Sequence, residues 1–228
     1  MTVNSEQFIK NTGTISKLDM KKLNSVKVLI VGLGGLGGHI ANGLVRLGVA
    51  DLVLVDYDIF QLSNLNRQIY SNHENIGNYK ASITKEELLK INPEAKVSTY
   101  LTKIQDEVSN ISEVDIIIDA VDNLATKLYL EEASLKFNIP LLHGACGGWY
   151  GQVSLIKSSI PILSELYKDN QEGLEKDLMN PYFAPSIVAS YMLSEFVKWI
   201  KSKEFKYNQL LLIDVYNNNL ESIDLGGD

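Results

Sequence analysis

Two arginines, Arg46 and Arg67, stand among the 21 basic residues of this 228-residue chain. Arg67 lies in the polar stretch Leu62-Ser63-Asn64-Leu65-Asn66-Arg67-Gln68, just behind a strand-like run that ends in Asp56 and Asp58. A guanidinium is a fixed cation that can grip phosphate oxygens through two parallel N–H groups. Lys80, in Gly77-Asn78-Tyr79-Lys80-Ala81, offers a second and more mobile positive charge. Two cations with side-chain amides from Asn64, Asn66 and Gln68 suit a triphosphate under attack, where negative charge builds on the departing pyrophosphate. Asp58 and Ser63 belong to the same candidate cluster. A further acid, Asp122 with Asn123 behind it, follows an apolar run and could hold Mg2+, which takes carboxylate and phosphate oxygens. Each residue has a plainer alternative. Arg67 and Lys80 could be solvated surface charges, and Asp122 with Asn123 a helix cap.

A glycine loop precedes them. Gly32, Gly34 and Gly37 satisfy G-x-G-x-x-G between a strand-like and a helix-like run, and Gly35 lies inside the loop. Glycines there permit a tight turn and bring a phosphate against bare backbone N–H groups at a helix N-terminus. Asp56 follows at the end of the next strand, placed to accept hydrogen bonds from a ribose. The alternative is a glycine-rich turn that only packs the helix on the sheet, but the flanking strand, helix and acid favour a nucleotide. The loop and Asp56 alone suit NAD, and an NAD-dependent oxidoreductase remains the competing reading. It leaves Arg67, Lys80 and Asp122 without work.

These groups need a scaffold that brings them to one edge. Short apolar runs at 26–32, 51–56, 96–101, 114–120 and 140–145 read as strands, and 26–32, a run of Val, Leu and Ile that stops at glycine, reads as buried on both faces. Helical spacing marks 15–24, 36–49, 80–91 and 123–137. Strand and helix alternate, which predicts an α/β fold, a doubly wound and mostly parallel sheet. Ligands bind outside the C-terminal ends of strands in such sheets. After residue 151 the pattern changes to a strand at 151–157, an irregular polar loop at 158–183, a helix at 184–202 with Pro185 near its start, and a closing antiparallel hairpin at 209–215 and 220–225. The expected organisation is an N-terminal arm and helix, 1–25, before a single ATP-binding domain, 26–228, with 158–183 as its crossover loop.

Composition limits the functions. A net charge of −7 and a pI near 5.1 disfavour a general nucleic-acid surface or an anionic membrane. No run approaches the ~18 apolar residues of a membrane span. With no apolar leader at the N-terminus, a cytoplasmic protein is expected. The single cysteine, Cys146, excludes internal disulfides and a multi-cysteine zinc site. It reads as a small buried residue, with a nucleophile near the substrate as the alternative. Trp149 and Tyr150, between glycines, could wall a substrate groove or fill the core. His143 reads as structural, and His39 and His73 as incidental.

The segments VGLGGLGG, LVLVDYDIFQLSNLNRQ, GNYKA and IIDAVDN, in this order, resemble the ThiF/MoeB/HesA adenylyltransferases, relatives of the ubiquitin-activating enzymes. The resemblance spans about residues 8–225 and rests most on D-x-D followed by S-N-L-x-R-Q. It implies activation of the C-terminal glycine of a small β-grasp sulfur-carrier protein ending in Gly-Gly. The carboxylate attacks the α-phosphate of ATP to give an acyl-adenylate and pyrophosphate. It implies that Gly35 and its neighbours line the nucleotide and that Asp56 binds ribose. Asn64, Arg67 and Lys80 would handle phosphates, while Asp122 would coordinate Mg2+. It also implies a homodimer in which an N-terminal arginine reaches the partner's ATP; the corresponding stretch here supplies Lys10 instead.

Two departures shape these expectations. The paired C-x-x-C motifs that bind zinc in many members are missing, so no zinc is expected. Residues 158–183 contain no transfer cysteine, so sulfur transfer would fall to a separate sulfurtransferase. These departures, with Lys10 in place of arginine, give weight to a third reading, a non-catalytic nucleotide-binding scaffold. A fourth keeps the chemistry but adenylates a small carboxylate or a tRNA base.

Overall fold

A computed structural model describes residues 6–107, 111–168, 178–201 and 205–227. Part of the expected crossover loop, 169–177, lies outside the described residues. Eight strands form one sheet: β1 Lys27–Val31, β2 Asp51–Val55, β3 Lys96–Tyr100, β4 Ile116–Asp119, β5 Leu141–Gly147, β6 Tyr150–Ile156, β7 Gln209–Asp214 and β8 Asn219–Asp224. They lie in the order β3-β2-β1-β4-β5-β6-β7-β8. The first five are parallel and the last three add an antiparallel meander. The mostly parallel α/β fold expected from the alternating runs is therefore what forms.

The apolar runs become strands because both faces of the sheet are covered. Val28 and Ile30 enter one core, while Leu29 and Val31 enter the other. The first core is roofed by α1 Lys17–Ser25, α2 Gly35–Leu47, α3 Lys80–Ile91 and the long C-terminal helix Phe183–Lys201. The second lies under Leu124–Phe137 and the short turn Leu163–Leu166, with another short turn at Ile104–Glu107. In chain order these are α4 Ile104–Glu107, α5 Leu124–Phe137, α6 Leu163–Leu166 and α7 Phe183–Lys201. Local chemistry sets their ends. Ser16 caps α1 through the Asp19 N–H at 3.1 Å, and Asn123 caps α5 through the Thr126 N–H at 2.9 Å. Gly48, with φ of 101°, closes α2 in the left-handed conformation.

The stretch after β6 is less irregular than its polarity suggests. Leu163 is fully buried and Ile162 nearly so, and Glu131 of α5 takes the backbone N–H groups of Leu163 and Ser164 that open α6. Apolar burial at one end and a carboxylate at the helix start hold a turn where composition shows a loop. The N-terminal arm is also anchored. Ile15 and Leu23 join the first core. Among the described residues no helix is long and apolar enough to cross a membrane.

From β1 the chain winds outward through β2 and β3, then returns to β1's other side as β4. The crevice between β1 and β4 is thus the switch point of the sheet, where loops diverge and leave space for a ligand.

Candidate nucleotide site

Three C-terminal strand ends meet at that switch point. The glycine loop follows β1, Asp56 follows β2, and Asp119 ends β4 with Asp122 in the loop beyond it. The loop is tight because glycine is required twice. Gly32 has φ of 88°, and a Cβ there would stand 2.6 Å from the Ala120 carbonyl oxygen. A Cβ on Gly37 would stand 1.8 Å from the Gly32 carbonyl oxygen. Those two glycines serve the turn and the helix packing. Gly34 and Gly35 leave more room, with nearest neighbours at 3.6 Å (Gln68 Nε2) and 3.3 Å (Arg67 Cγ and Pro185 Cγ).

Asp56 is buried, and its carboxylate ties two loops together. Oδ2 accepts from the Leu33 N–H at 2.6 Å and Oδ1 from the Asp58 N–H at 2.7 Å. Burial pushes its pKa up, against the pull of Lys80 and of both N–H groups. Each oxygen keeps a further lone pair for a ribose hydroxyl. Asp58 holds Lys80: Nζ lies 3.0 Å from Asp58 Oδ2, with the lysine side chain 9% and the aspartate 50% exposed. Lys80 is therefore not the mobile charge its sequence context suggests. It is a buried ammonium paired to an acid at the rim, because its position at the first turn of α3 points it under the β2 loop.

Arg67 Nη1 donates to the Ser63 carbonyl at 3.0 Å and to Asn66 Oδ1 at 2.9 Å. Its aliphatic stem passes beside Gly35, which brings the guanidinium to the glycine loop. Asn64 is buried and braces its own turn, accepting from the Gln61 N–H at 2.9 Å. Asn66 Nδ2 donates 3.0 Å to the Asn180 carbonyl, joining this loop to the start of α7. Gln68 is buried beside Gly34, with no protein partner for its Oε1. That is the orphaned acceptor a nucleotide donor group would satisfy. Ser63 is exposed.

Asp122 is exposed beyond β4, while Asn123 spends its side-chain oxygen on the α5 cap. Asp122 shares a neighbourhood with the other acids. The charges of Asp58, Asp122 and Asp56, together with some burial, raise the Tyr57 pKa, Asp58 contributing most. Among the described residues no three His, Cys, Asp or Glu side chains converge as a metal cage. One exposed carboxylate fits Mg2+ that arrives with phosphates and keeps its waters.

Other residues fall in two groups. Cys146 is buried on β5 within the first core. Trp149 and Tyr150 are not core residues. They are 46% and 49% exposed, and Trp149 packs against Phe183 and Tyr216 with ring centroids 4.6 and 5.5 Å apart. Lys10 lies far from the site of its own chain. Its turn is held by Asn11 Nδ2 donating to the Arg46 carbonyl, at the far end of the 13-residue α2.

Sequence reasoning missed His39, Asp119 and Lys127. His39 sits on α2 beneath Arg67. It bonds the Arg67 backbone, meets Tyr182 edge-on at 5.6 Å, and burial lowers its pKa. Asp119 is fully buried against Lys127 and His143. An acid closing an all-apolar run was the available signal, since a buried charge demands a partner.

The family profile of ThiF matches residues 8–227. The sulfur carrier protein ThiS adenylyltransferase of Escherichia coli is 29% identical over 214 residues, covering 90% of this chain and 84% of that protein. The molybdopterin-synthase adenylyltransferase of Haemophilus influenzae is 32% identical, covering 90% and 87%. SUMO-activating enzyme subunit 2 of Dictyostelium discoideum is 27% identical over 67% of this chain, which spans only 24% of that protein. Among solved structures, E. coli MccB with ATP superposes with a TM-score of 0.77 at 21% identity, over 92% of this chain and 67% of that one. PaaA superposes at 0.81 and 18% identity, over 99% and 84%. At those identities the likeness is one of fold.

Proposed function

The chain belongs to the ThiF family, and from that premise we propose that it activates the C-terminal carboxylate of a small ubiquitin-like sulfur-carrier protein as an acyl-adenylate. The observation that carries this reading is the gathering of two cations, an orphaned amide and three acids around the glycine loop at the sheet's switch point. An oxidoreductase would have no use for that cation pair.

ATP is a substrate. Its triphosphate lies along the glycine loop, where the α2 N-terminus favours negative charge. Asp56 accepts from the ribose. A carboxylate oxygen of the carrier attacks the α-phosphorus, the bond to the bridging oxygen of the β-phosphate breaks, and pyrophosphate leaves with the electron pair. Arg67 and Lys80 stabilise the charge that gathers there. Asp58 holds the Lys80 side chain in place. Mg2+, when bound, would neutralise phosphate oxygens, with Asp122 as its protein ligand. A sulfur nucleophile of a separate sulfurtransferase would then attack the acyl carbon, the bond to the adenylate oxygen breaks, and AMP leaves with the electron pair. The reading includes a homodimer, in which Lys10, held near the far end of α2, would reach only the partner's ATP.

Pyrophosphate–ATP exchange tests this. The purified chain, with Mg2+, is assayed against carriers that end in Gly-Gly. Exchange that depends on one carrier is expected. ATP binding without exchange on any carrier would move the substrate to a small carboxylate or leave a scaffold. No ATP binding, with nicotinamide binding instead, would return the site to NAD.

A further inference from the structure

Beneath the Asp122 loop lies a buried polar cluster that the adenylation chemistry does not call on. Lys127 Nζ, on α5, stands 3.4 Å from both oxygens of Asp119 and donates to the Gly144 carbonyl at 3.2 Å. Asp119 Oδ2 is also 2.7 Å from His143 Nδ1. Asp119 and His143 are 0% exposed and Lys127 is 4% exposed. Burying such charges is costly even when they are paired, and apolar sets of equal volume are often as stable or more so. Stability alone therefore does not account for this cluster. Its connectivity does.

Asp119 is the last residue of β4, and its Oδ1 accepts from the Val121 N–H at 3.2 Å, next to Asp122. On the other side of Asp122, Asn123 caps α5, and Lys127 lies one turn further along that helix. From there its ammonium reaches back to Asp119. The chain from 119 to 127 is thus closed into a ring, with Asp122 on the exposed arc. The ring is itself anchored. Lys127 fastens it to β5 through Gly144. His143 donates from Nδ1 to Asp119, so its Nε2 accepts; Tyr167 Oη and Gln152 Nε2 both lie 3.1 Å away. Glu131, one turn beyond Lys127, fixes α5 to the start of α6.

We propose that Lys127 is a positioning residue for adenylation: by closing the 119–127 ring it sets where the Asp122 carboxylate stands for the metal–nucleotide. This rests on the adenylation reading. Asp119 and His143 complete the device. Asp119 turns the ammonium's charge into a hold on the Val121 N–H, and His143 keeps the second carboxylate oxygen from rotating away. Lys127 touches neither ATP nor metal. Its effect passes through Asp122 and should be confined to the part of ATP affinity that Mg2+ supplies.

The test measures ATP affinity by calorimetry on the full chain, in Mg2+ and again in EDTA. The ratio of the two is the gain due to Mg2+. Asp122→Asn gives the size of that gain when its ligand is lost. Lys127→Met breaks the ring but leaves a buried unpaired acid, which can unfold the chain. The double variant Lys127→Met with Asp119→Asn removes both charges and keeps the volume, so it is the deciding protein once a melting transition shows it folded. The expected result is a tenfold or greater loss of the Mg2+ gain in the double variant, approaching Asp122→Asn, with ATP affinity in EDTA held within twofold of the parent. Retention of the full gain would overturn the proposal. So would an equal loss in Mg2+ and EDTA, which marks general damage to the site. A parent chain that does not bind ATP would overturn the adenylation reading itself, and that is read before any variant is made.

Discussion

Arg67 carries its guanidinium past Gly35 with Nη1 already donating to Ser63 and Asn66, at 3.0 and 2.9 Å. Those two bonds fix the plane of the fork and leave its other N–H groups for a ligand. A lysine has one ammonium and no plane, so it cannot both brace the loop and grip two phosphate oxygens. Arg67→Lys should lower kcat/KM for exchange about tenfold or more, at least ~1.4 kcal/mol of transition-state stabilisation. Exchange kinetics on the purified variant decide it, and a lysine variant as fast as the parent removes Arg67 from the mechanism. Lys80 shows why side-chain type is not enough at this scale. Both cations are visible in the sequence, but only the structure shows one open to solvent-borne ligands and the other buried against Asp58.

At the scale of elements, the glycine loop divides its labour. Gly37 allows α2 to pack on the turn, and any Cβ there collides with the Gly32 carbonyl. Gly34 meets only the tip of Gln68. Gly37→Ala should therefore cost about 2–3 kcal/mol, as overpacking of a rigid backbone contact does. For a chain of this size that lowers Tm by roughly 5–10 °C. Gly34→Ala should leave Tm within about 3 °C yet weaken ATP binding, because the methyl enters the space left for phosphate. Thermal melts with and without ATP separate the two. If both variants melt alike, the loop's glycines do not divide in this way. The glycine spacing marked the loop in the sequence. Which glycine packs and which is left open depends on Ala120, Arg67, Gln68 and Pro185, brought in from three other places in the chain.

For the whole molecule, two imidazoles are shielded from water, His143 fully and His39 in part. Burial depresses the pKa of His39 and of His143, the latter helped by the Lys127 charge and opposed by Asp119. The unfolded chain takes up protons near the ordinary value of 6.5, while the folded chain resists them. The stability these groups contribute is thus fully present above that pH and lost as pH falls through the depressed folded values. Asp56 acts in the opposite sense. Its raised pKa costs stability at neutral pH and is relieved only as pH falls through its own folded value. Tm should hold level from pH 8 to 7 and decline below 6.5. His39→Gln, which removes one of two titrating rings, should reduce that slope by about half. A Tm as steep in the variant as in the parent would show that His39 does not contribute.

Much of this protein was legible before folding. Runs of Val, Leu and Ile alternating with helical spacing dictate a covered parallel sheet, because only burial on both faces accommodates them. The glycine spacing, the acids behind β2 and β4, and Arg67 carry chemistry in their residue types. They point to a nucleotide at one edge because loops at strand ends are where this fold can bind. Local turns were less legible. Polar residues 158–168 read as loop, yet Leu163 is drawn under α5 and a helical turn forms. What only the tertiary structure decided is the pairing of charges. Asp119, Lys127 and His143 lie on a strand, a helix and a second strand, with no periodicity to link them. They meet because β4 and β5 pair in parallel with Asp119 beside His143, and α5 packs across both. Sequence determines which groups are available. The low dielectric of a shared interior determines which of them must find one another.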